Sequence, residues 1–306
     1  MTTWTSSLKY WFTMMRLPFT SVAVLPLILG NLLPLLHGET LNPAILVWSL
    51  LATLFITIST HLSGEFHDVR EDILTAKMEK NTFSGGSQII ARGLLTAATA
   101  KNGSNIFIFL AGLIGVHLFF FYQISWWVIV LGATGMIAGY FYSKPPFRWV
   151  NRGIGEILIG YCYGWLPLAV GSLLQSGRIF SEVHLMSVPI ACSVFNIILI
   201  NEFPDHPADV IAGKKNLVVR FGKKWSSFLY AFMHVVGVCC FLLAIYFYLP
   251  VLVFYFYLPI GITALALSVI IISGGFRSRK MLEWVCGLTI LINLLSTFVF
   301  IGGIVL

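Results

Sequence analysis

Two stretches of the sequence carry acidic side chains at a repeated spacing. Each holds an Asp-x-x-x-Asp pattern with a glutamate three residues before its first aspartate: Glu65, Asp68 and Asp72 in one, and Glu202, Asp205 and Asp209 in the other, with Asn201 just ahead. Spacings of three and four place side chains on one face of a helix. Carboxylates crowded in this way repel each other unless a cation lies among them. Mg²⁺ takes such oxygen ligands together with substrate phosphates, so both stretches are candidate magnesium sites.

Proline distinguishes the second stretch from the first. Pro204 and Pro207 lie within it, and proline removes a backbone donor from a helix. We therefore expect the helix to be interrupted there, with Asp205 and Asp209 converging from a helix end.

Basic side chains accompany both acidic stretches. Carboxylates, Mg²⁺ and cations facing one another at a membrane surface suit a diphosphate carried on a lipid-soluble tail. When diphosphate leaves an allylic carbon, the negative charge that develops on oxygen is stabilised by metal and cations. We assign contact with the diphosphate to four cations: Arg70, Lys77, Lys144 and Lys214.

Aromatic and small residues near these stretches suit the organic half of such a substrate. An allylic carbocation is stabilised by aromatic faces, and four tyrosines lie near the predicted site: Tyr140, Tyr142, Tyr161 and Tyr163. The Gly85-Gly86 pair is either a turn or a place where backbone N–H groups approach phosphate. We assign substrate contacts to Tyr140, Ser84 and Arg148.

The elements that position these residues are membrane helices. Of the 306 residues, 58% are hydrophobic and 10% are charged, against roughly 25% charged in a soluble domain, which excludes a soluble enzyme. A span needs about 20 apolar residues. Nine stretches qualify, and they predict an all-α, multi-pass fold in one domain over residues 1–306: 20–37, 44–62, 104–122, 126–142, 154–174, 184–200, 225–248, 251–273 and 281–306.

The distribution of charge predicts the orientation of these spans. With a cytoplasmic N-terminus, 18 of the 19 Lys and Arg fall on the cytoplasmic side and only Arg178 falls on the other, as the positive-inside rule requires. Four spans separate the acidic loops 63–103 and 201–224, so both open on that side. The net charge of +7 thus reflects topology and does not indicate a nucleic-acid partner. We expect a plasma or inner cell membrane.

Several motifs resemble those of one enzyme superfamily. The first region contributes Phe83-Ser84-Gly85-Gly86-Ser87 and Gly93, and a second contributes Tyr142-Ser-Lys144-Pro145-Pro146-Phe147 with Arg152-Gly153 and Gly155-Glu156. The longest match is Asn201-x-x-x-Asp205-x-x-x-Asp209-x-x-x-Gly213-Lys214-x-x-Leu217-Val-Val219-Arg220-Phe-Gly222. Over residues 64–222 the chain is similar to the UbiA-type intramembrane prenyltransferases, and within them to the 1,4-dihydroxy-2-naphthoate polyprenyltransferase branch of menaquinone biosynthesis.

The resemblance implies a helical bundle around a central cavity that opens sideways to lipid. It implies a polyprenyl diphosphate donor, an aromatic acceptor and Mg²⁺ held by Asp68, Asp72, Asp205 and Asp209, with Glu65 and Asn201 assisting. It also implies diphosphate contacts from Lys77, Lys144 and Lys214. The chain departs from the superfamily where Gly64-Glu65 replaces Asn-Asp. We take Glu65 as the candidate base that receives the acceptor's proton.

Other functions remain open at this point. Within the same fold the acceptor could be 4-hydroxybenzoate, homogentisate, a chlorophyllide or a glycerol phosphate, or the enzyme could cyclise its prenyl chain. A cation-coupled transporter is a more remote alternative, because transporters place such acids near the midplane on broken helices, whereas these lie at span ends. The sequence indicates no obligate protein partner.

Overall fold

The computed structural model describes residues 4–78, 83 and 85–306. In this part of the chain all regular structure is helical. The α-helices are α1 Trp4–Met15, α2 Leu17–Leu32, α3 Pro43–His67, α4 Val69–Lys77, α5 Ala97–Tyr122, α6 Trp126–Tyr140, α7 Gly155–Tyr163, α8 Trp165–Ser176, α9 Ser181–Ala212, α10 Leu217–Tyr248, α11 Leu252–Ile272 and α12 Arg279–Val305.

Eight of the nine predicted spans coincide with helical segments long and apolar enough to cross a membrane. The exception is the stretch 126–142, where α6 has only 15 residues. Pro250 lies between α10 and α11, at the predicted boundary between the spans 225–248 and 251–273. The all-helical, multi-pass prediction is confirmed for the described residues.

The fifth predicted span is broken in its middle, which the sequence did not indicate. Gly164 leaves helical geometry with φ −100° and ψ −87° between α7 and α8. Its backbone lies so close to α9 that an added Cβ would be 2.5 Å from the Cβ of Ala191. Pro167 lies in the first turn of α8, a position where proline is tolerated because its missing N–H has no partner in the helix.

The long helix α9 lies at the centre of the bundle. It packs against α7, α8, α10 and α12, and residues along most of its length are buried. On the other side, α3 packs against α5, and α2 packs against both α3 and α8. The ends of α3 and α9 that carry the acidic motifs are thereby brought to the same end of the bundle.

Candidate active site

A cavity of about 260 Å³ lies where the two acidic motifs meet. The predicted metal ligands and base all line it, together with one predicted cation: Glu65, Asp68, Asp72, Asn201, Asp205, Asp209 and Lys214. Residues separated by more than 130 positions in the sequence therefore share one site. The prediction that both motifs open on the same side of the membrane agrees with this arrangement.

The first motif spans a helix junction. Helix α3 ends at His67, Asp68 has φ −101° and ψ 18°, and α4 begins at the next residue. Asp68 Oδ2 accepts a 2.5 Å hydrogen bond from the hydroxyl of Ser143. The Arg148 guanidinium lies 3.5 Å from Asp68 Oδ1 and 2.6 Å from Glu71 Oε1. Asp68 is thus oriented by the segment that follows α6.

The second motif lies within a continuous helix, so the expected interruption at Pro204 and Pro207 is wrong. Helix α9 runs through both prolines to Ala212. Proline at 204 leaves the carbonyl of Ile200 without its usual helical donor. The thiol of Cys286, on α12, lies 3.9 Å from that carbonyl oxygen and donates to it. Tertiary packing thus compensates for the lost bond.

Asp209 is held by the turn that follows α9. Its Oδ2 accepts a 2.7 Å hydrogen bond from Asn216 Nδ2, and Lys214 Nζ lies 3.5 Å from its Oδ1. Asn216 also caps α10, since its Oδ1 accepts from the N–H of Val219. The acid farthest along α9 therefore fixes the position of Lys214 at the cavity.

Residues 85–88 form a strap across both motifs. Gly85 N–H donates to Asp205 Oδ2 at 3.1 Å, and Ser87 donates to Glu65 through its N–H at 2.7 Å and its hydroxyl at 2.5 Å. Gly86 lies against Asp72, where an added Cβ would be 2.2 Å from Oδ2. Both glycines have positive φ, 72° and 63°, which side-chain-bearing residues rarely adopt. The Gly-Gly pair is thus a turn whose backbone reaches carboxylates in the described structure.

The clustered charges shift the ionisation of the site. Burial, followed by the charges of Glu65 and Asp68, raises the pKa of Asp72 to about 7. Burial by itself lowers the pKa of Lys214, but the neighbouring acids, Asp209 first, outweigh it and raise that pKa. The acids around Asp72 therefore supply negative charge that favours a bound divalent cation, whereas Lys214 stays protonated and favours an anion.

The donor set fits Mg²⁺, a hard cation that prefers oxygen ligands. Asn201 Oδ1 is buried at the cavity without a hydrogen-bond partner, and it lies among carboxylates. No three His, Cys, Asp or Glu side chains of the described residues come close enough to hold a metal ion by themselves. Since Mg²⁺ is commonly bound by one or two carboxylates plus substrate phosphates, this site suits a metal that arrives with a diphosphate.

Comparison with known proteins assigns the chain to a family. The sequence profile of the UbiA prenyltransferase family matches residues 23–301. The chain belongs to the UbiA prenyltransferase family. It is 28% identical over 228 residues to the 1,4-dihydroxy-2-naphthoate octaprenyltransferase of Bacillus subtilis, covering 71% of this chain and 69% of that protein. It is 28% identical over 220 residues to the 2-carboxy-1,4-naphthoquinone phytyltransferase of Synechocystis, covering 72% and 68%.

A solved structure supports the fold of this prenyltransferase. A UbiA homolog from Archaeoglobus fulgidus, bound to DMAPP and Mg²⁺, superimposes with a TM-score of 0.63 at 14% identity, covering 95% of this chain and 98% of the homolog. At that identity the likeness concerns the fold. The multi-pass membrane architecture and the prenyltransferase family are therefore established together.

Five described residues that were assigned to the prenyltransferase site lie away from the cavity lining: Arg70, Lys77, Tyr140, Lys144 and Arg148. Arg70 and Lys77 are exposed on α4. Lys144 donates to the hydroxyl of Tyr140 at 2.5 Å, and that hydroxyl donates to Asn105 at 2.7 Å. Arg148 reaches Asp68 and Glu71 from outside. Ser84 lies outside the described residues.

Several lining residues were not predicted. Arg16 has φ 49° between α1 and α2, and its Nε lies 3.6 Å from Glu65 Oε1. Ser143 also lines the cavity, as does Glu202, which belongs to the second acidic stretch. In the sequence, a basic residue just before the first span signals topology. Its distance from Glu65 in the structure shows that the Arg16 side chain reaches the site.

Two of the four candidate tyrosines, Tyr142 and Tyr163, line the cavity. Burial, followed by the charges of Glu156 and Glu202, raises the pKa of Tyr142 well above its usual range. Its hydroxyl therefore stays neutral, and its ring is available to stabilise positive charge on a substrate.

Proposed function

We propose that this prenyltransferase transfers a polyprenyl group from a polyprenyl diphosphate to 1,4-dihydroxy-2-naphthoate in menaquinone biosynthesis, with Mg²⁺ as cofactor. The observation that carries the proposal is the convergence of both acidic motifs and Lys214 on one cavity. Two relatives support this choice of acceptor, because one is named for 1,4-dihydroxy-2-naphthoate and the other for 2-carboxy-1,4-naphthoquinone. The match covers 69% of the first and 68% of the second. The charge distribution supports a site on the cytoplasmic face of the cell membrane.

The proposed metal ligands are the oxygen atoms that face the cavity. Asp68, Asp72 and Asp205 would hold Mg²⁺ together with the oxygens of the diphosphate. Asn201 Oδ1 would be a further donor, because it has no hydrogen-bond partner in the protein. When bound, the metal neutralises the negative charge that develops as diphosphate departs. Lys214 contacts the same diphosphate. Asp209 keeps Lys214 in position, because both of its oxygens already face partners.

The organic half of the donor lies deeper in the cavity. Departure of diphosphate leaves an allylic carbocation, and the rings of Tyr142 and Tyr163 face the space where it forms. The nucleophilic ring carbon of the acceptor adds to this cation, and the ring regains its aromaticity by losing the proton, or the carboxylate as CO₂, that this carbon carried. Water would capture the cation, so the buried lining protects the transfer.

Glu65 is better suited to positioning than to accepting a proton. Both of its oxygens accept hydrogen bonds from Ser87, and Arg16 lies beside it. We therefore propose that Glu65 anchors the strap over the metal site, in place of the role as base that the sequence suggested.

The proposal is tested by diphosphate release in reconstituted membranes. Farnesyl or geranylgeranyl diphosphate is offered with and without Mg²⁺ to the native protein, Asp68→Asn, Asp205→Asn and a control, Glu39→Gln. Glu39 pairs with Arg178, on the other predicted face of the membrane. We expect Mg²⁺-dependent release, lowered at least about a hundredfold in both site variants and unchanged in the control. Unchanged release in both site variants would refute the metal site.

The acceptor is tested by mass spectrometry of products. 1,4-Dihydroxy-2-naphthoate is compared with 4-hydroxybenzoate, homogentisate and a glycerol phosphate at equal concentration. We expect prenylated naphthoate as the principal product. A cyclised hydrocarbon, or transfer to another acceptor only, contradicts the proposed acceptor while leaving the family intact.

A further inference from the structure

A second cavity of about 90 Å³ adjoins the active site on its membrane side. It lies between α2, α3, α6 and the break that separates α7 from α8. Thr60, Ile159 and Tyr163 line both cavities. The two cavities therefore adjoin along these three residues.

The walls of the second cavity are apolar. Leucine, isoleucine, valine, alanine and glycine supply most of its lining. Two of its threonines use their hydroxyl protons within α3, since Thr57 donates to Thr53 O and Thr60 donates to Ile56 O, each at 3.0 Å. Such a space favours hydrocarbon and disfavours a carboxylate or hydroxyl, which would lose its hydrogen bonds to water there. The aromatic acceptor is thus a poor occupant.

Helix α6 leaves room at one position of the wall. An added Cβ at Gly139 would lie 2.3 Å from Thr60 Oγ1, and one at Gly135 would lie 2.9 Å from Leu166 Cδ2. At Gly132 an added Cβ would meet no atom within 4 Å. Gly132 lies about 10 Å along α6 from Gly139 at 1.5 Å per residue. It therefore lies far along the second cavity from Thr60, which borders the active site.

We infer that the second cavity receives the distal isoprene units of the donor, and that the absence of a side chain at Gly132 lets long chains pass. This inference rests on the proposed function and adds a determinant of donor length. A short chain ends before it reaches Gly132, whereas a longer chain passes beside it. A bulky side chain at Gly132 should therefore act selectively on long donors.

The test measures kcat/KM with geranyl, farnesyl and geranylgeranyl diphosphates for the native protein, Gly132→Ala and Gly132→Phe. Gly302→Phe is the matched control, because Gly302 is an exposed helical glycine whose added Cβ also meets nothing within 4 Å. We expect Gly132→Phe to lower the ratio of geranylgeranyl to geranyl kcat/KM about tenfold or more. Gly132→Ala and Gly302→Phe should keep the native ratio.

Two results would overturn the inference. An unchanged ratio in Gly132→Phe would mean that long chains do not enter this cavity. An equal loss with every donor, checked against thermal unfolding of the purified variant, would mean that the substitution acts on the fold. Failure of the proposed function looks different, because the native protein itself would then release no diphosphate from any donor.

Discussion

Asp72 is expected to destabilise the metal-free protein, so replacing it should raise stability while removing activity. Its pKa is raised from 3.8 to about 7 by burial and by Glu65 and Asp68. Each unit of pKa corresponds to 1.36 kcal/mol, so ionised Asp72 costs the folded state about 4 kcal/mol. Asparagine has the same shape and cannot ionise. Asp72→Asn should therefore be more stable than the native protein above pH 7 by as much as about 4 kcal/mol.

The pH dependence follows from the sign of this shift. In the unfolded chain Asp72 loses its proton from about pH 4 upward, whereas in the folded chain it keeps the proton until about pH 7. Native stability attributable to Asp72 therefore falls as pH rises through this window. The advantage of Asp72→Asn should be absent at pH 4, should grow between pH 4 and 7, and should stay constant above.

Thermal unfolding in detergent with a metal chelator measures this difference between pH 4 and 8. Glu71→Gln is the matched control on the same helix. Glu71 pairs with Arg148 at 2.6 Å, so losing its charge should destabilise the protein, by about 2 kcal/mol. Lower stability of Asp72→Asn than of the native protein at pH 8 would show that nearby cations stabilise the carboxylate, and would refute the reasoning.

Two further predictions concern Arg148, which lies outside the cavity lining and pairs with Glu71, and Lys214, which lines the cavity. Arg148→Ala should lower the free energy of unfolding by about 2 kcal/mol, because Glu71 loses a charge-assisted hydrogen bond. Arg70 is exposed, so Arg70→Ala should change the free energy of unfolding little. Chemical denaturation measures both variants, and equal effects would contradict the prediction. Lys214→Ala should raise KM for the polyprenyl diphosphate about tenfold or more, while its exposed neighbour in Lys215→Ala should leave KM unchanged. Steady-state kinetics over a range of donor concentrations decides the second case, and an unaltered KM in Lys214→Ala would remove it from the diphosphate site.

Much of the architecture could be predicted because a bilayer imposes simple rules. Apolar length located eight of nine spans, and counting spans between the acidic stretches placed both motifs at one end of the bundle. The acids themselves were identified because carboxylates at membrane edges are costly and rarely incidental. Five of the seven predicted residues that line the cavity were found this way, and the other two are Asn201 and Lys214.

The remaining details depend on contacts between distant segments. Sequence spacing cannot tell that Lys144 turns to Tyr140 and away from the cavity, because lysine side chains at a membrane edge have many orientations. At Pro204 in α9, the carbonyl that lacks a helical donor contacts a thiol from α12. The break at Gly164 lies in close contact with Ala191 of α9. Tyr140 is near Lys144 in the sequence, whereas Cys286 and Ala191 are far from the residues that they contact.

The short helix α6 has a consequence for the surrounding lipid. Its 15 residues span about 22 Å at 1.5 Å per residue, whereas the hydrocarbon core of a bilayer is about 30 Å thick. A helix shorter than the core is matched by local thinning of the bilayer or by flanking residues that extend to the interface, and Trp126 and Trp127 lie exposed at one end of α6. The elastic state of the membrane therefore acts on the same helix that bounds the second cavity, and lipid acyl length becomes a physical variable of this enzyme.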